Sequence, residues 1–464
     1  MHDPKKKYQE IDLSNSSEER SKTHFGLPEG YDALHLAGLA RNLMNDGGVL
    51  IHVAMDDRRV ETLTQCLTFF SPDVHVVVFP AWDCLPYDRV SPNTDITAQR
   101  IKALTTLLSW QSEKERKPRI ILTTVNAVTQ KVMPRSSLEG LSLGARKGGK
   151  IRHEDLQSFL VVNGYHRTDT VREPGEYSIR GGIIDIYPPG YEEPIRLDTF
   201  GEEIETIRSF DPLSQRSTGS VDQFSLLPAS EFELDEASIS RFRQSYREIF
   251  ETTGSGDPLY EAVSDGRRYN GMEHWLPLFH GELQTVFDYV SYALISLDHH
   301  ADQARQERQI HIDDFYQARK TLEVSARTKS GKQKSATGDV SLTGSVYHPL
   351  PPEKLYMSDD EWQEKISRHE NIILSPFKAP DIEGYNDSEG RKGRDFSDIR
   401  SLPDGDVMGS LRSHLLKLHG SRTKVLIAGY SEGARSRMKD LFEASGIENL
   451  KLCETHEDVK KLKS

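Results

Sequence analysis

The chain has 464 residues, a formal net charge of −13, 36% hydrophobic and 28% charged residues. That length suits about three domains at ~150 residues each, and the acidic balance argues against indiscriminate nucleic-acid binding by the chain as a whole, though not against a local basic stripe. No stretch approaches the ~20 apolar residues of a membrane span, and Cys66, Cys84 and Cys453 are odd in number and lack metal-ligand spacing, as expected of reduced cytosolic thiols.

In chain order, the opening MHDPKKKYQEIDLSNSSEERSKTHFG carries charge without an apolar core. It reads as a disordered lead over 1–25, ending near an early strand, and not as a signal peptide. Residues 26–138 then alternate strand and helix patterns. Val49–Ala54, Val74–Phe79 and Ile120–Thr124 are nearly continuous apolar runs, and Arg59–Phe70 and Asp95–Trp110 have helical spacing, with Thr94 or Asp95 as cap. Such alternation predicts a parallel sheet covered on both faces.

Residues 139–227 change to short strands, turns and one helix at Glu154–Asn163, a small α+β domain. Residues 228–345 hold a helix over Asp235–Thr252, then Pro258–Val263, strand-like material at Thr285–Ser296, and a long polar helix over Asp298–Leu322. Ser325–Asp339 is Ser/Gly/Lys-rich and reads as a flexible loop. Its Arg327, Lys329, Lys332 and Lys334 are more simply solvated than bound to phosphate. Residues 346–464 read as a second small α/β domain, with strands at Asn371–Ser375 and Lys424–Ala428 and a helix after Gly433.

The most informative stretch is Gly175–Phe210. Strand-like Tyr177–Tyr187 and Glu193–Phe200 flank a Pro188-Pro189-Gly190 turn, a hairpin signal. A period of two puts Ile195, Leu197 and Thr199 on one face and Arg196, Asp198 and Phe200 on the other. An arginine and an aromatic on one face is the mix of a protein-binding hot spot. A solvated face on which Arg196 and Asp198 neutralise each other is the competing account.

This stretch resembles the UvrB-like module of the bacterial transcription-repair coupling factors (Mfd). The likeness also extends over FPAWDCLPYDRVSPNTDITAQRIKAL (Phe79–Leu104), ILTTVNAVTQKVMP (Ile121–Pro134), DPLSQRS (Asp211–Ser217), LLPASEF (Leu226–Phe232), YNGMEHWLPLF (Tyr269–Phe279) and VLIAGYSEGARSRMKDLF (Val425–Phe442). The resemblance implies a degenerate RecA/helicase-like parallel-sheet domain, discontinuous over 26–138 and 228–345. Into it is inserted a small α+β UvrA-binding domain at 139–227, and a second small α/β domain follows at 346–464. It also implies UvrA as partner, met by Arg180 in EYSIRG and by Arg196 and Phe200 in PIRLDTF. Asp198 and Tyr177 are candidate supporting residues beside these three.

Several motifs look like chemistry. GARKGGKI (Gly144–Ile151) has Walker A spacing, but Ile151 stands where a Ser or Thr should hold magnesium. At the position of the UvrB phosphate loop the chain reads GLPEGYDALHLAGLA (Gly26–Ala40), without a Gly-Lys pair. DEAS (Asp235–Ser238) imitates a helicase box but sits where a helix should begin, so its acids favour the helix dipole by ~0.3–1 kcal/mol. Asp298-His299-His300 lacks a third ligand group at metal spacing, and GYSEG (Gly429–Gly433) reads as a structural turn. The segment Asp83–Asp95, where UvrB has a strand-separating hairpin, is short and holds Tyr87 as its one aromatic, whereas a hairpin that opens duplex DNA needs several stacking side chains.

The expectation is therefore a UvrA-recruiting, non-catalytic module without cofactor or metal, cytoplasmic and not membrane-bound, acting in transcription-coupled nucleotide-excision repair by mimicry of UvrB. The resemblance implies that RNA polymerase and duplex DNA are met by further domains this sequence lacks, including the translocase motor and the domain that masks the UvrA surface. An N-terminal fragment or shortened chain that binds UvrA constitutively is expected. Two rivals remain: a brake acting in cis on the motor, and a residual UvrB-like ATPase.

Overall fold

The computed structural model describes residues 22–462 except 114, 139–141, 252–255, 333–346, 382–384, 422, 430 and 449, and excepting the side chains of 326–332. The basic side chains at 327, 329, 332 and 334, and most of the lead over 1–25, lie outside what is described. The described residues form two compact units, one drawn from 22–37, 65–73 and 375–462, the other from 38–64 and 74–374.

In the larger unit, five strands lie parallel in the order Glu370–Leu374, Ala293–Asp298, Val49–Ala54, Arg119–Thr124, His75–Phe79. Val49–Ala54 and Arg119–Thr124 are buried along their whole length, which is why they read as nearly continuous apolar runs. His75–Phe79 is partly exposed because it pairs on one side with Arg119–Thr124 and forms the sheet edge there. Helix Thr94–Ser112 supplies Ile101, Leu104, Leu107 and Trp110 to a core shared with Ile51, Ile121 and Ile295. Its cap is Asn93, not Thr94 or Asp95: the Asn93 side chain accepts from the Asp95 amide.

Residues far apart in sequence complete this sheet. Thr285–Ser296 is a short 3-10 turn over Val286–Tyr289 followed by strand Ala293–Asp298, which lies parallel to Val49–Ala54. The strand anticipated at 371–375 within the final domain pairs instead, as Glu370–Leu374, with Ala293–Asp298. Pro258–Ser264 is a helix, with Pro258 in its first turn and Asp257 as cap. Helix Ala301–Lys332 overruns the expected end at Leu322, so the first part of the Ser325–Asp339 segment is helical and not a loop. Once nucleated, a helix gains a hydrogen bond for each further residue, and Lys and Arg are compatible with that extension.

The small sheet has six strands in the order Ser217–Ser220, Glu203–Phe210, Ile195–Phe200, Ile183–Ile186, Glu176–Arg180, His166–Arg167. Helix His153–Val162 lays Leu156 and Leu160 against Ile184, Ile186, Ile195, Leu197, Ile204 and Ile207. The expected long strand Tyr177–Tyr187 is broken into a hairpin at Gly181-Gly182. Gly181 has φ +62°, and a Cβ on Gly182 would fall 2.5 Å from the Thr199 carbonyl oxygen, so both positions call for glycine. The Pro188-Pro189-Gly190 segment then joins Ile183–Ile186 to its antiparallel neighbour Ile195–Phe200.

Gly144 lies within strand Leu143–Arg146, antiparallel to Gln223–Leu226, a setting unlike the strand-to-helix loop of a phosphate site. Asp235 caps helix Glu236–Phe250, its carboxylate accepting from the Ser238 amide.

In the smaller unit, Thr23–Phe25 pairs in parallel with Asn386–Asp387, and helices occupy Val407–Gly420, Glu432–Ala444 and His456–Lys461. The strand expected at Lys424–Ala428 does not form: 423–429 has no ladder, and Val425, Leu426 and Ile427 are exposed. An apolar run becomes a strand only where a sheet edge receives its amides and carbonyls. Among the described residues, no helix is long and apolar enough to cross a membrane.

Candidate protein-interaction surface

The strand register sets the surface opposite the helix. One row across the small sheet reads Ser178, Asp185, Arg196, Arg208, and the next reads Arg180, Ile183, Asp198, Thr206. Polar residues thus face away from the isoleucine core on four adjacent strands.

Asp185 is the hub. Its side chain is fully buried, and both carboxylate oxygens accept from arginines. Arg196 donates from Nε to Oδ1 at 2.6 Å and from Nη2 to Oδ2 at 3.0 Å, while Arg180 donates from Nη2 to Oδ2 at 2.5 Å. Arg196 also donates from Nη1 to the Gln215 carbonyl at 3.3 Å, and its guanidinium lies 4.6 Å over the Phe210 ring. The hydrogen bonding to Asp185 raises the Arg196 pKa above its ordinary value, so Arg196 is permanently charged. Gln215 sits in the left-handed region at φ +61°, and its amide nitrogen is tied to the Val171 and Pro212 carbonyls at 2.9 and 2.8 Å. These bonds give the DPLSQRS segment a physical role, the placing of one carbonyl beside Arg196.

The arginines differ in what they leave free. All three guanidinium nitrogens of Arg196 are engaged and its side chain is 18% exposed, whereas Arg180 is 52% exposed and uses one nitrogen on Asp185. Phe200 is 79% exposed at the end of its strand, opposite Glu203 and next to a two-residue Gly201-Glu202 turn with Gly201 at φ +62°. Exposed Ile183 lies on the same face, across from Asp198.

The competing account of this face fails, and one expectation is corrected. Asp198 does not neutralise Arg196 by direct pairing. It accepts from Thr206 Oγ1 at 2.6 Å and from Arg208. Burial alone would push its pKa up, but these bonds and the nearby arginine charges hold it below the usual carboxylate range. Residues two apart on a strand are ~7 Å apart, whereas directly opposite cross-strand neighbours are ~5 Å apart, so Arg196 takes Asp185, its register partner on the adjoining strand. Tyr177 is buried in the small-domain core, directly across from Ile186, so its ring is not on the exposed face. Burial raises its hydroxyl pKa.

Asp185 was missed in the sequence. Its signal was a lone acid in the apolar run Ile183–Ile186, and its meaning depends on a register that only the folded sheet supplies. Elsewhere, Asp298 is turned to protein partners: it accepts from the Met55 amide at 3.2 Å and Arg59 Nε at 3.3 Å, with His52 Nε2 at 3.5 Å. Among the described residues no group of three or more His, Cys, Asp or Glu could hold a metal ion.

Residues 143–232, which contain this whole face, match the family described as the UvrB interaction domain. The chain is thus a UvrB-interaction-domain protein in which that domain is joined to a parallel α/β sheet. It is 30% identical over 420 residues to the transcription-repair-coupling factor of Haemophilus influenzae, covering 89% of this chain and 33% of that protein. It is 37% identical over 243 residues to that of Escherichia coli, covering 52% of this chain and 21% of the relative. The chain spans about a third or less of the length of these curated relatives. It belongs with the N-terminal, UvrB-like region of the transcription-repair coupling factors.

Proposed function

We propose that this chain is a non-catalytic adaptor that recruits UvrA in transcription-coupled nucleotide-excision repair, offering UvrA the kind of surface with which UvrB meets it. The observation that carries this reading is the convergence of Arg180, Arg196 and Phe200 on one outer face of the matched domain, with Phe200 held out into solvent. An exposed aromatic beside charged arginine forks suits a partner that offers carboxylates around an apolar recess. The two arginines share one buried carboxylate, which leaves this cluster with an excess positive charge on an otherwise acidic chain. The strand setting of Gly144 and the capping role of Asp235 favour an adaptor over a residual ATPase.

Calorimetry of the chain with purified UvrA, beside an Arg180→Ala, Arg196→Ala, Phe200→Ala variant shown by circular dichroism to be folded, tests the reading. Binding by the parent and a loss above ~2 kcal/mol in the variant are expected. A folded parent that does not bind would remove the adaptor role and leave the cis brake in its place.

A further inference from the structure

We propose that Asp185 is the positioning residue of this surface, holding Arg180 so that its free edge and the Phe200 ring together meet a carboxylate-bearing, partly apolar patch on the partner. The inference rests on the recruitment reading and adds to it a residue that need not touch the partner at all.

The geometry supports a division of labour. Arg196 is braced by Asp185, by the Gln215 carbonyl and by the Phe210 ring. It fixes the carboxylate as much as the carboxylate fixes it, and bidentate pairing of this kind sets orientation as well as energy. Oδ2 of Asp185, already bonded to Arg196, is left pointing at Arg180 Nη2. Arg180 ends a strand at the Gly181-Gly182 turn, where an exposed arginine would otherwise sample many rotamers. Tethering one nitrogen removes much of that freedom before binding and keeps the remaining donors available, so less entropy is lost on association. The same turn is bonded to the Phe200 strand, since the Thr199 amide and hydroxyl both donate to the Gly182 carbonyl at 2.8 and 2.9 Å. The Arg180 turn and the approach to Phe200 are therefore held as one piece.

Charge and position make opposite forecasts for Asp185→Asn. The substitution keeps the shape and makes the face more positive, so an acidic partner drawn only by charge should bind as well or better. A positioning role forecasts a loss. Binding of UvrA to the full chain would be measured by calorimetry for the parent, Asp185→Asn, Arg180→Ala and the double variant, with melting curves to verify folding. The expected result is a loss of about tenfold or more for Asp185→Asn that shrinks below about threefold once Arg180 is already alanine. Equal losses in both backgrounds would indicate general structural damage and overturn the proposal, as would unchanged or tighter binding by Asp185→Asn. Should Asp185→Asn not fold, Asp185→Glu, which keeps the charge but displaces the carboxylate, carries the same expectation in the same two backgrounds. A parent that does not bind UvrA overturns the recruitment reading itself, and the role of Asp185 falls with it.

Discussion

Arg100 Nε lies 2.5 Å from Glu231 Oε1, and both side chains are shut away from solvent. Arg100 belongs to the helix under the parallel sheet, and Glu231 to the segment leaving the small domain, so the pair pins one to the other. Trp82 Nε1 donates to the same carboxylate oxygen at 3.0 Å, and Arg100 Nη1 donates to the Pro80 carbonyl at 2.8 Å. The segments Phe79–Leu104 and Leu226–Phe232 thus supply the two halves of one buried joint.

Removing one half should be costly. Arg100→Met leaves the Glu231 carboxylate buried and uncompensated, and a loss of about 3–5 kcal/mol in unfolding free energy is expected from urea denaturation. Arg100→Met combined with Glu231→Leu should recover much of that loss, because no lone charge then remains inside.

Phe200→Ala should separate binding from stability. With its ring mostly in solvent, the change should shift unfolding by no more than about 0.5 kcal/mol. Calorimetry with UvrA should nevertheless show a loss of about 2 kcal/mol or more if Phe200 is an anchor.

Gly182→Ala tests the hairpin tip. The added methyl would fall 2.5 Å from the Thr199 carbonyl oxygen, against backbone that cannot rotate away. A loss of about 1–3 kcal/mol is expected by chemical denaturation, with weaker UvrA binding because Arg180 and Phe200 flank the displaced segment.

His274 gives a pH signature. Burial lowers its pKa to about 4, with its ring packed edge-on to Trp82. The unfolded chain takes up this proton near pH 6.5 while the folded chain resists it. The contribution is therefore complete above that pH and is lost as pH falls toward 4, at up to ~1.4 kcal/mol per unit. Between pH 7 and pH 5 the stability of His274→Gln should fall by about 2 kcal/mol less than that of the parent, read from denaturation curves at the two pH values.

Much of the frame was legible because burial writes itself into local pattern. Val49–Ala54 and Arg119–Thr124 are sandwiched on both faces and so are mostly apolar, with His52, Arg119, Thr123 and Thr124 as buried polar exceptions. Ile195 and Leu197 face the core while Arg196 and Asp198 face outward, and the period of two followed directly. Less was legible where a partner distant in sequence decides the outcome. Lys424–Ala428 has strand-like residues but no strand to pair with, and Glu370–Leu374 finds its place only beside Ala293–Asp298.

By itself the sequence determined the class of most stretches, the inward and outward faces of the Arg196 strand, and, through the family resemblance, the candidate contacts Arg180, Arg196 and Phe200. Only the tertiary structure decided that Arg196 joins Asp185 and not Asp198, that Tyr177 turns inward, and that Arg180 keeps an open edge. The reason is geometric: alternation along one strand is a local property of the backbone, whereas the choice of ion-pair partner depends on register between strands, which no single segment encodes.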